Sequence, residues 1–461
     1  MSALDEIVGY LARVTFEDIP GTTVERQKEL VVDTLGVAAA GVRAPGVKDV
    51  LELVKDSGGK AESTLLLDGA KVPCFSATLA NAFMMHALDF DDMHEAAGLH
   101  ANVCVLPAAL AAAEKEGTVD GETLLTAVIL GVDLVCRMGV SIPLLRGWHP
   151  TATFGIFGAA AASAKILNLD EKTTANAMGI AYSQSSGNRQ GRLEGTMTKR
   201  LQVALSAKSG VLASLLAQRN LTGPHRTLDG DWGMLNLYTP PQAQEDREKV
   251  LHRLTKDLGK VFLGDELSVK PYPSCKATHT PIFSMLNLMK EERLRPEQIE
   301  EVEVSVSKGC YQTAGRPFAI RTDAQVDAQF SIPYTVATAI LKGKVGLDDF
   351  TESSVKEPER MSMAGRVKVS VDPELQEPSS NVVNLASAIK VRAGGKMFSR
   401  SAATSKGHPG NPMSREELFA KFESCLRFGT SFPYKKIEAA FETILNMEKM
   451  ESVDLLVEAF C

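Results

Sequence analysis

The first 265 or so residues read as apolar helical runs separated by short glycine- and proline-containing breaks. An apolar stripe at residues 29–40 stops at Gly41, and Ser2 with Asp5 has the spacing of an N-terminal capping box. Residues 108–113 and 157–164 consist mostly of small side chains, which allow helices to approach each other closely. This pattern predicts a helical domain with a tightly packed centre.

The pattern changes near residue 269. Polar and apolar positions alternate over the second half of residues 299–306 and over residues 367–371, which predicts two half-buried strands, and residues 330–341 between them predict a helix. After Ser414 the chain is again helical. We therefore expect a mainly α protein: a large all-helical domain from residues 1–268 and 405–461, with a smaller α+β domain inserted at residues 269–404.

The amino-acid composition and net charge limit which kinds of molecule the protein is expected to bind. A length of 461 residues suggests two domains, and a net charge of -7 provides no basic face for nucleic acid or an anionic membrane. A local cluster of cations could still bind an anionic substrate. The N-terminus lacks a signal-peptide pattern, no uninterrupted apolar stretch of about 18 residues is present, and the seven cysteines form no CxxC pair. A cytoplasmic protein with reduced thiols is expected.

Candidate catalytic side chains are most concentrated between residues 81 and 100, where three of the eight histidines and three aspartates lie. The preceding apolar side chains predict a buried helix with this polar cluster at its end. A buried ionised carboxylate without a partner costs several kcal/mol, so a functional role is favoured for Asp89 and His100. For His86, within the apolar run, a hydrogen-bonded core histidine is favoured over a functional one.

A divalent metal is the alternative interpretation of this cluster, because imidazole and carboxylate are its usual ligands. The spacing does not favour it: no HExxH is present, Asp91 and Asp92 would diverge on a helix, and cysteine ligand pairs are lacking. Motifs for nucleotides, iron–sulfur clusters and the GxSxG elbow are also missing. The sequence predicts neither a metal nor a cofactor.

Two further regions carry candidate binding residues. Lys199 and Arg200 precede an alanine-rich helix predicted to begin near Gln202, where they could strengthen anion binding at the N-terminus or simply form a solvated cap. His149 lies in a loop that opens another small-residue helix. His279 lies at the predicted domain boundary, where clefts form, although it could also be a helix cap.

Together these motifs, in this order, resemble the MmgE/PrpD family over nearly the whole chain. The family includes 2-methylcitrate dehydratase, cis-aconitate decarboxylase and iminodisuccinate epimerase. The residues that carry the resemblance are His86-Ala87-Leu88-Asp89-Phe90-Asp91-Asp92 with His100, Gly147-Trp148-His149-Pro150, Thr198-Lys199-Arg200, Thr222-Gly223-Pro224, Lys270-Pro271-Tyr272-Pro273-Ser274-Cys275 with His279, and Phe330-Ser331-Ile332-Pro333-Tyr334.

The resemblance implies a helical domain with a smaller α+β lid, a homodimer, and a set of site residues. The catalytic residues it implies are Asp89, His100, His149, His279 and Tyr311, and the substrate-binding residues are Lys199, Arg200 and Met93. Two positions depart from the family pattern. Met93 stands where dehydratase-like and decarboxylase-like members have threonine, and Ala101 stands where proline is common, so the substrate need not be citrate-like.

The predicted activity is a metal-independent lyase, a dehydratase or a decarboxylase, acting on a small di- or tricarboxylate. Lys199, His149 and protonated His279 would stabilise developing negative charge, with His100 or Asp89 as the acid–base partner. Two alternatives stay open because of Met93: an epimerase of a dicarboxylate such as iminodisuccinate, and a non-catalytic homologue that binds carboxylates.

Overall fold

The computed structural model of the chain describes residues 2–321, 323–376 and 383–461. It is 58% helix and 9% strand, so the prediction of a mainly α protein is confirmed. The capping box at Ser2 is also confirmed, because Asp5 N donates to Ser2 Oγ at 3.2 Å and Ser2 N donates to Asp5 Oδ2 at 2.8 Å.

Helices make up most of the chain as far as residue 255. They are α1 (Ala3–Arg13), α2 (Gly21–Gly41), α3 (Val47–Asp56), α4 (Cys74–Met85), α5 (Asn102–Glu116), α6 (Gly121–Ser141), α7 (Pro150–Ile166), α8 (Glu171–Tyr182), α9 (Gln190–Leu193), α10 (Thr198–Gln218), α11 (Met234–Leu237), α12 (Pro241–Glu245) and α13 (Arg247–Thr255). Two small antiparallel pairs join this part, β1 (Ser63–Thr64) with β2 (Lys71–Val72) and β3 (Met93–His94) with β4 (Leu267–Ser268).

The small-residue helices lie at the centre of this part, as predicted. A Cβ on Gly158 of α7 would meet Gly131 O of α6 at 2.7 Å, so only glycine permits this crossing. Helix α6 is apolar and long enough to cross a bilayer, but 83% of its most apolar window is buried in the protein and its Asp133 and Arg137 pair with each other at 2.6 Å. Such burial is typical of a core helix.

The segment after residue 269 combines helices with a four-stranded sheet. Its elements are α14 (His279–Glu291), β5 (Ile299–Val306), α15 (Lys308–Ala314), α16 (Ala324–Gln329), α17 (Ile332–Lys342), α18 (Glu352–Val355), α19 (Pro358–Ala364), β6 (Val367–Val371), β7 (Ser387–Ala393) and β8 (Lys396–Ala402). The strand order is β6-β5-β7-β8, with β5 and β6 parallel and the other pairs antiparallel.

Both predicted strands, β5 and β6, are confirmed, and the predicted helix corresponds to α17. The sequence analysis missed the β7–β8 hairpin. Strand β7 does alternate, with Ile389 and Val391 buried, and Gly394 and Gly395 in its turn have positive φ. Strand β8 is polar and largely exposed, so it carries little hydrophobic signal.

Three final helices, α20 (Arg415–Gly429), α21 (Tyr434–Leu445) and α22 (Asp454–Glu458), return to the first part. Helix α20 packs on α2, where Lys421 forms a buried ion pair with Asp33. The apolar core of the helical part draws on residues 4–269 and 418–460 and takes in Leu347, whereas a second core lies within residues 277–393. The presence of two separate apolar cores agrees with an α+β segment inserted into the helical part. The exact boundaries of this segment and its action as a lid stay predictions.

Candidate active site

The loop that follows α4 places Asp89 against two lysines. Lys199 donates to Asp89 Oδ1, and Lys270 Nζ lies 2.8 Å from the backbone oxygen of Asp89 and 3.4 Å from its Oδ2. Asp89 has a positive φ of 53°, an uncommon conformation for a residue with a side chain. Burial alone would raise the pKa of this carboxyl, but Lys199 and Lys270 lower it well below its ordinary value. Asp89 is therefore an ionised carboxylate held between cations.

Two residues further on, Asp91 holds two histidines. Its Oδ2 lies 2.9 Å from His86 Nδ1 and 2.9 Å from His100 Nδ1, and His100 Nδ1 also lies 2.6 Å from the backbone oxygen of Asp92. Burial opposes ionisation of Asp91, yet the two imidazoles lower its pKa well below the usual range. Because both Nδ1 atoms face acceptors, each ring carries its proton on Nδ1 and leaves Nε2 for other partners.

His86 is buried and hydrogen-bonded, as the favoured interpretation held. Burial lowers its pKa to about 4, so the ring is neutral near pH 7. Asp92 has a different environment: burial, together with the neighbouring Asp91, raises its pKa to about 6. Asn102 Nδ2 donates to Asp92 Oδ2 at 3.2 Å.

Lys199 and Arg200 lie inside the first turn of α10, which begins at Thr198, so the predicted start near Gln202 was wrong by about one turn. The polar Thr198 and the two cations carry no apolar periodicity, which hid this turn. Arg200 Nη1 donates to Ala87 O at 2.9 Å and the guanidinium lies 5.7 Å from the Phe83 ring. Arg200 therefore anchors the loop before Asp89 to α10.

His149 forms the N-cap position of α7 and its tautomer is fixed by Gln202. Gln202 Oε1 accepts from Asn188 N at 2.8 Å, so its amide nitrogen, 3.1 Å from His149 Nδ1, must donate to that ring. The proton of His149 thus lies on Nε2, the opposite arrangement to His86 and His100. Burial, with Lys199 second, lowers its pKa well below the ordinary value, so the ring is neutral.

His279 differs from the expectation of a protonated residue. It is fully buried at the start of α14, Nε2 lies 3.1 Å from Ser274 O, and Nδ1 has no hydrogen-bond partner among the described residues. Burial, then Lys276 and Lys270, lower its pKa well below the usual value. Since a buried imidazolium beside two lysines is unfavourable, the ring is a neutral donor to a backbone carbonyl.

The cleft beside Asp89 has a volume of about 40 Å³. It is lined by His86, Ala87, Asp89, Gly191, Arg192, Gly195, Thr196, Lys199, Arg200, Val326, Gln329 and Phe330. A larger cavity of about 460 Å³ shares Arg192, Gly195, Val326 and Phe330 with it. Phe330 lies 5.7 Å from Lys199 Nζ and 5.8 Å from the Arg192 guanidinium, so its ring forms part of the wall between the two spaces.

Five predicted site residues, His100, His149, His279, Met93 and Tyr311, line neither space. Met93 lies in β3, paired with Ser268, and Tyr311 lies in α15 against the second core. Its neighbours Gln312 and Thr313 line the larger cavity instead. The structure thus brings together Asp89, Lys199 and Arg200 on the cleft wall and His100 beside it through Asp91.

Four cations stand on this wall or against it: Arg192, Lys199, Arg200 and Lys270. They face two carboxylates whose pKa is lowered, Asp89 and Asp91, and remain in excess even with Asp92 ionised. An excess of buried positive charge on a protein of net charge -7 favours an anionic ligand in the cleft.

One set of side chains could supply metal ligands. Ligand atoms of His86, Asp91 and His100 all lie within 4.8 Å of one another. In the observed arrangement, however, both Nδ1 atoms are at hydrogen-bond distance from a single oxygen of Asp91, and a metal would have to replace both protons. The geometry fits a hydrogen-bonded triad, and metal independence stays a prediction.

The chain matches the MmgE/PrpD N-terminal domain over residues 5–246 and the MmgE/PrpD C-terminal domain over residues 272–446. The chain belongs to the MmgE/PrpD family. This confirms the resemblance drawn from the motifs.

The chain is also similar to curated relatives in this family. It is 25% identical to a cis-aconitate decarboxylase of Aspergillus terreus, covering 98% of this chain and 94% of that protein. It is 24% identical to the human cis-aconitate decarboxylase over 94% of this chain and 89% of that protein. A cis-aconitate decarboxylase-like protein of Aspergillus oryzae is 28% identical over 75% of this chain and 74% of that protein. These relatives indicate an enzyme of the lyase class.

Sequence reasoning missed the functional position of several residues. Lys270 stands in a motif that was noted, yet received no role, although a lysine directly after the apolar Val269 is a signal for a buried cation; it is 1% exposed. Asp91 was considered only together with Asp92, as a possible metal ligand, and received no role of its own. Arg192 carries no local signal. Phe330 stands in a motif that carries the family resemblance, but it received no role because its position beside the cleft depends on the tertiary fold.

Proposed function

We propose that the protein is a metal-independent lyase that decarboxylates a small unsaturated tricarboxylate of the cis-aconitate type. The observation that carries the proposal is the cationic cleft in which Lys199, at the N-terminus of α10, stands beside a bridged pair of histidines. The names of the relatives favour decarboxylation over the other lyase reactions.

The cations would hold the substrate carboxylates. Lys199 is 18% exposed at its side chain, and it lies in the first turn of a 21-residue helix whose N-terminal N–H groups attract anions. Asp89 forms an ion pair with Lys199 and so compensates part of the positive charge of the site. Arg192 would bind a second carboxylate, because it faces both the cleft and the larger cavity.

Proton transfer would involve His100. Loss of carbon dioxide breaks a carbon–carbon bond and leaves its electron pair on the substrate, delocalised toward a remaining carboxylate. His100 would take up a solvent proton at Nε2 during the reaction and deliver it to that carbon, while Asp91 compensates the charge of the transient imidazolium. The Nε2–H of His149 would hydrogen-bond a substrate oxygen as charge develops.

Binding would require the cleft to open. A cleft of about 40 Å³ can hold a water molecule but not a tricarboxylate. Pockets that bind small molecules usually measure about 300–1,000 Å³. The larger cavity, at about 460 Å³, is of that size and is separated from the cleft in part by Phe330. Movement of α16 with Phe330 would join the two spaces, which is the motion expected of the α+β segment as a lid.

A second candidate activity is epimerisation of a dicarboxylate. It is supported by the opposite tautomers of His100 and His149, because His100 would offer a proton acceptor at Nε2 and His149 a proton donor at Nε2. Met93, which does not line the cleft, adds no support for either activity.

The test is a panel of unsaturated and hydroxylated di- and tricarboxylates incubated with the purified protein in deuterated water. We expect release of carbon dioxide from an unsaturated tricarboxylate, with one deuterium in the product. Loss of water would instead indicate a dehydratase, and deuterium uptake without mass loss an epimerase. Tight binding measured by calorimetry, without turnover or exchange, would indicate a carboxylate-binding protein and contradict the proposal.

A further inference from the structure

His86 has a ring nitrogen for which the fold provides no partner. Its Nδ1 is held by Asp91 at 2.9 Å, and its Nε2 is buried without a hydrogen-bond partner in the part of the chain that the structure describes. Leaving a buried polar atom without a hydrogen bond is unfavourable, so such an atom next to a cleft requires an explanation. His86 also lines the cleft with Asp89 and Lys199.

The second observation is that His86 and His100 share one oxygen atom. Their rings meet edge to face with centroids 4.9 Å apart, and both Nδ1 atoms lie 2.9 Å from Asp91 Oδ2. The carboxylate carries a single negative charge and can compensate one imidazolium at a time. One ring can therefore hold an additional proton while the other is a neutral acceptor.

We infer that His86 is a further catalytic residue, which accepts a proton through Nε2, and that Asp91 is a positioning residue for both His86 and His100. The inference rests on the proposed function and assigns the acid–base pair within the same cleft. It differs from the family-based set of residues, which contains neither His86 nor Asp91.

The proton balance of the step is simple. A C–H bond next to a substrate carboxylate breaks, the proton moves to His86 Nε2, and the electron pair stays on carbon and is delocalised into the carboxylate. The same nitrogen then returns the proton to carbon. When carbon dioxide leaves afterwards, the electron pair that stays on carbon takes its proton from His100, which regains one from solvent. Asp91 stays ionised throughout and compensates the positive ring.

His86→Asn separates the two functions of this ring. The asparagine amide can replace Nδ1 as a donor to Asp91 but has no group at the position of Nε2. His94→Asn is the matched control, because His94, in strand β3, is equally buried and lines neither the cleft nor the larger cavity. Its Nδ1 accepts from Ala97 N at 3.3 Å, a bond that asparagine can keep.

On the substrate that the wild-type protein turns over, we expect His86→Asn to lower kcat by about 10²–10⁴-fold with KM within about threefold. His94→Asn should keep kcat within about threefold. Both variants must first show a cooperative thermal transition like the wild type. A folded His86→Asn protein with wild-type kcat would overturn the role of His86.

An independent measurement uses ¹⁵N NMR of histidine-labelled wild-type protein and of Asp91→Asn. We expect the wild type to show protonated Nδ1 and unprotonated Nε2 for His86 and His100, with the reverse for His149. Asp91→Asn should mix the tautomers of His86 and His100 and leave His149 unchanged. Protonated Nε2 on His86 in the wild type would overturn the inference.

The NMR measurement also separates this inference from the proposed function. Tricarballylate, a saturated tricarboxylate, serves as the probe. If the wild type turns over no acid but tricarballylate shifts the His86 Nε2 signal, the lyase proposal fails and the placement of His86 in the site stands. In protein labelled with ¹⁵N at both histidine and lysine, a shift of the Lys199 signal without a change at His86 Nε2 would show that the placement of His86 is wrong.

Discussion

Asp89 and Asp91 lie two residues apart in one loop, both are buried, and both have a lowered pKa, yet their partners differ in kind. Asp89 is surrounded by cations that come from 110 and 181 residues away along the chain. Asp91 is held by two imidazoles from its own loop. The first carboxylate balances charge between distant elements, and the second orients rings whose free nitrogens can move protons.

The largest expected effect concerns the surroundings of Asp89. Lys270→Met should lower the free energy of unfolding by about 3–5 kcal/mol, because it leaves a buried carboxylate and backbone oxygen without a partner. Denaturant unfolding would measure this. The double variant Lys270→Met/Asp89→Asn should recover part of the loss, since the uncompensated charge is gone. Equal stability of the single variant and the wild type would mean that Asp89 does not depend on Lys270.

Removing the other cation should affect activity more than stability. Lys199→Ala should lower kcat/KM by an amount equivalent to about 2–4 kcal/mol, because it removes charge stabilisation at the N-terminus of α10. Lys208→Ala, in the same helix but outside both cavities, is the control and should keep normal kcat/KM. Near-normal kcat/KM in a folded Lys199→Ala protein would place the anion site elsewhere.

Asp92 extends the comparison to a carboxyl without a cation or imidazole at its oxygens. Its pKa of about 6 lies above the ordinary 3.8, so the folded state binds its proton more tightly than the unfolded state. The resulting stability is present below about pH 4 and is lost as the pH rises through about 6. Relative to Asp92→Asn, the wild type should lose on the order of 3 kcal/mol between those limits.

Unfolding of both proteins at several pH values would measure this difference. A constant difference in unfolding free energy across the range would show that folding does not raise the pKa of Asp92.

The smallest expected effect is that of a chelator. If Asp91 serves to orient histidines, exhaustive treatment with a chelator should leave the activity on the acid panel unchanged. Loss of activity that a divalent ion restores would make His86, Asp91 and His100 a metal site and would remove the contrast with Asp89.

The local sequence pattern was sufficient to predict an element wherever the interacting residues lie close together along the chain. The helix end before the acidic cluster, the cap at Ser2 and the strand β5 depend on periodicity and on side chains a few residues apart, and the structure confirms them. The start of α10 was misplaced because its first turn lacks apolar periodicity. Strand β8 was missed because an exposed strand does not require buried apolar side chains and so shows no apolar alternation.

The sequence by itself determined the family, the mainly helical architecture and the concentration of histidines and aspartates between residues 81 and 100. Only the tertiary structure decided how these groups pair, that His279 is neutral and buried, and that Lys270, Arg192 and Phe330 surround the site. The physical reason is that periodicity reports burial of a residue within its own element. Protonation and charge compensation depend instead on atoms within a few ångströms, and those atoms come from elements that the chain order does not bring together.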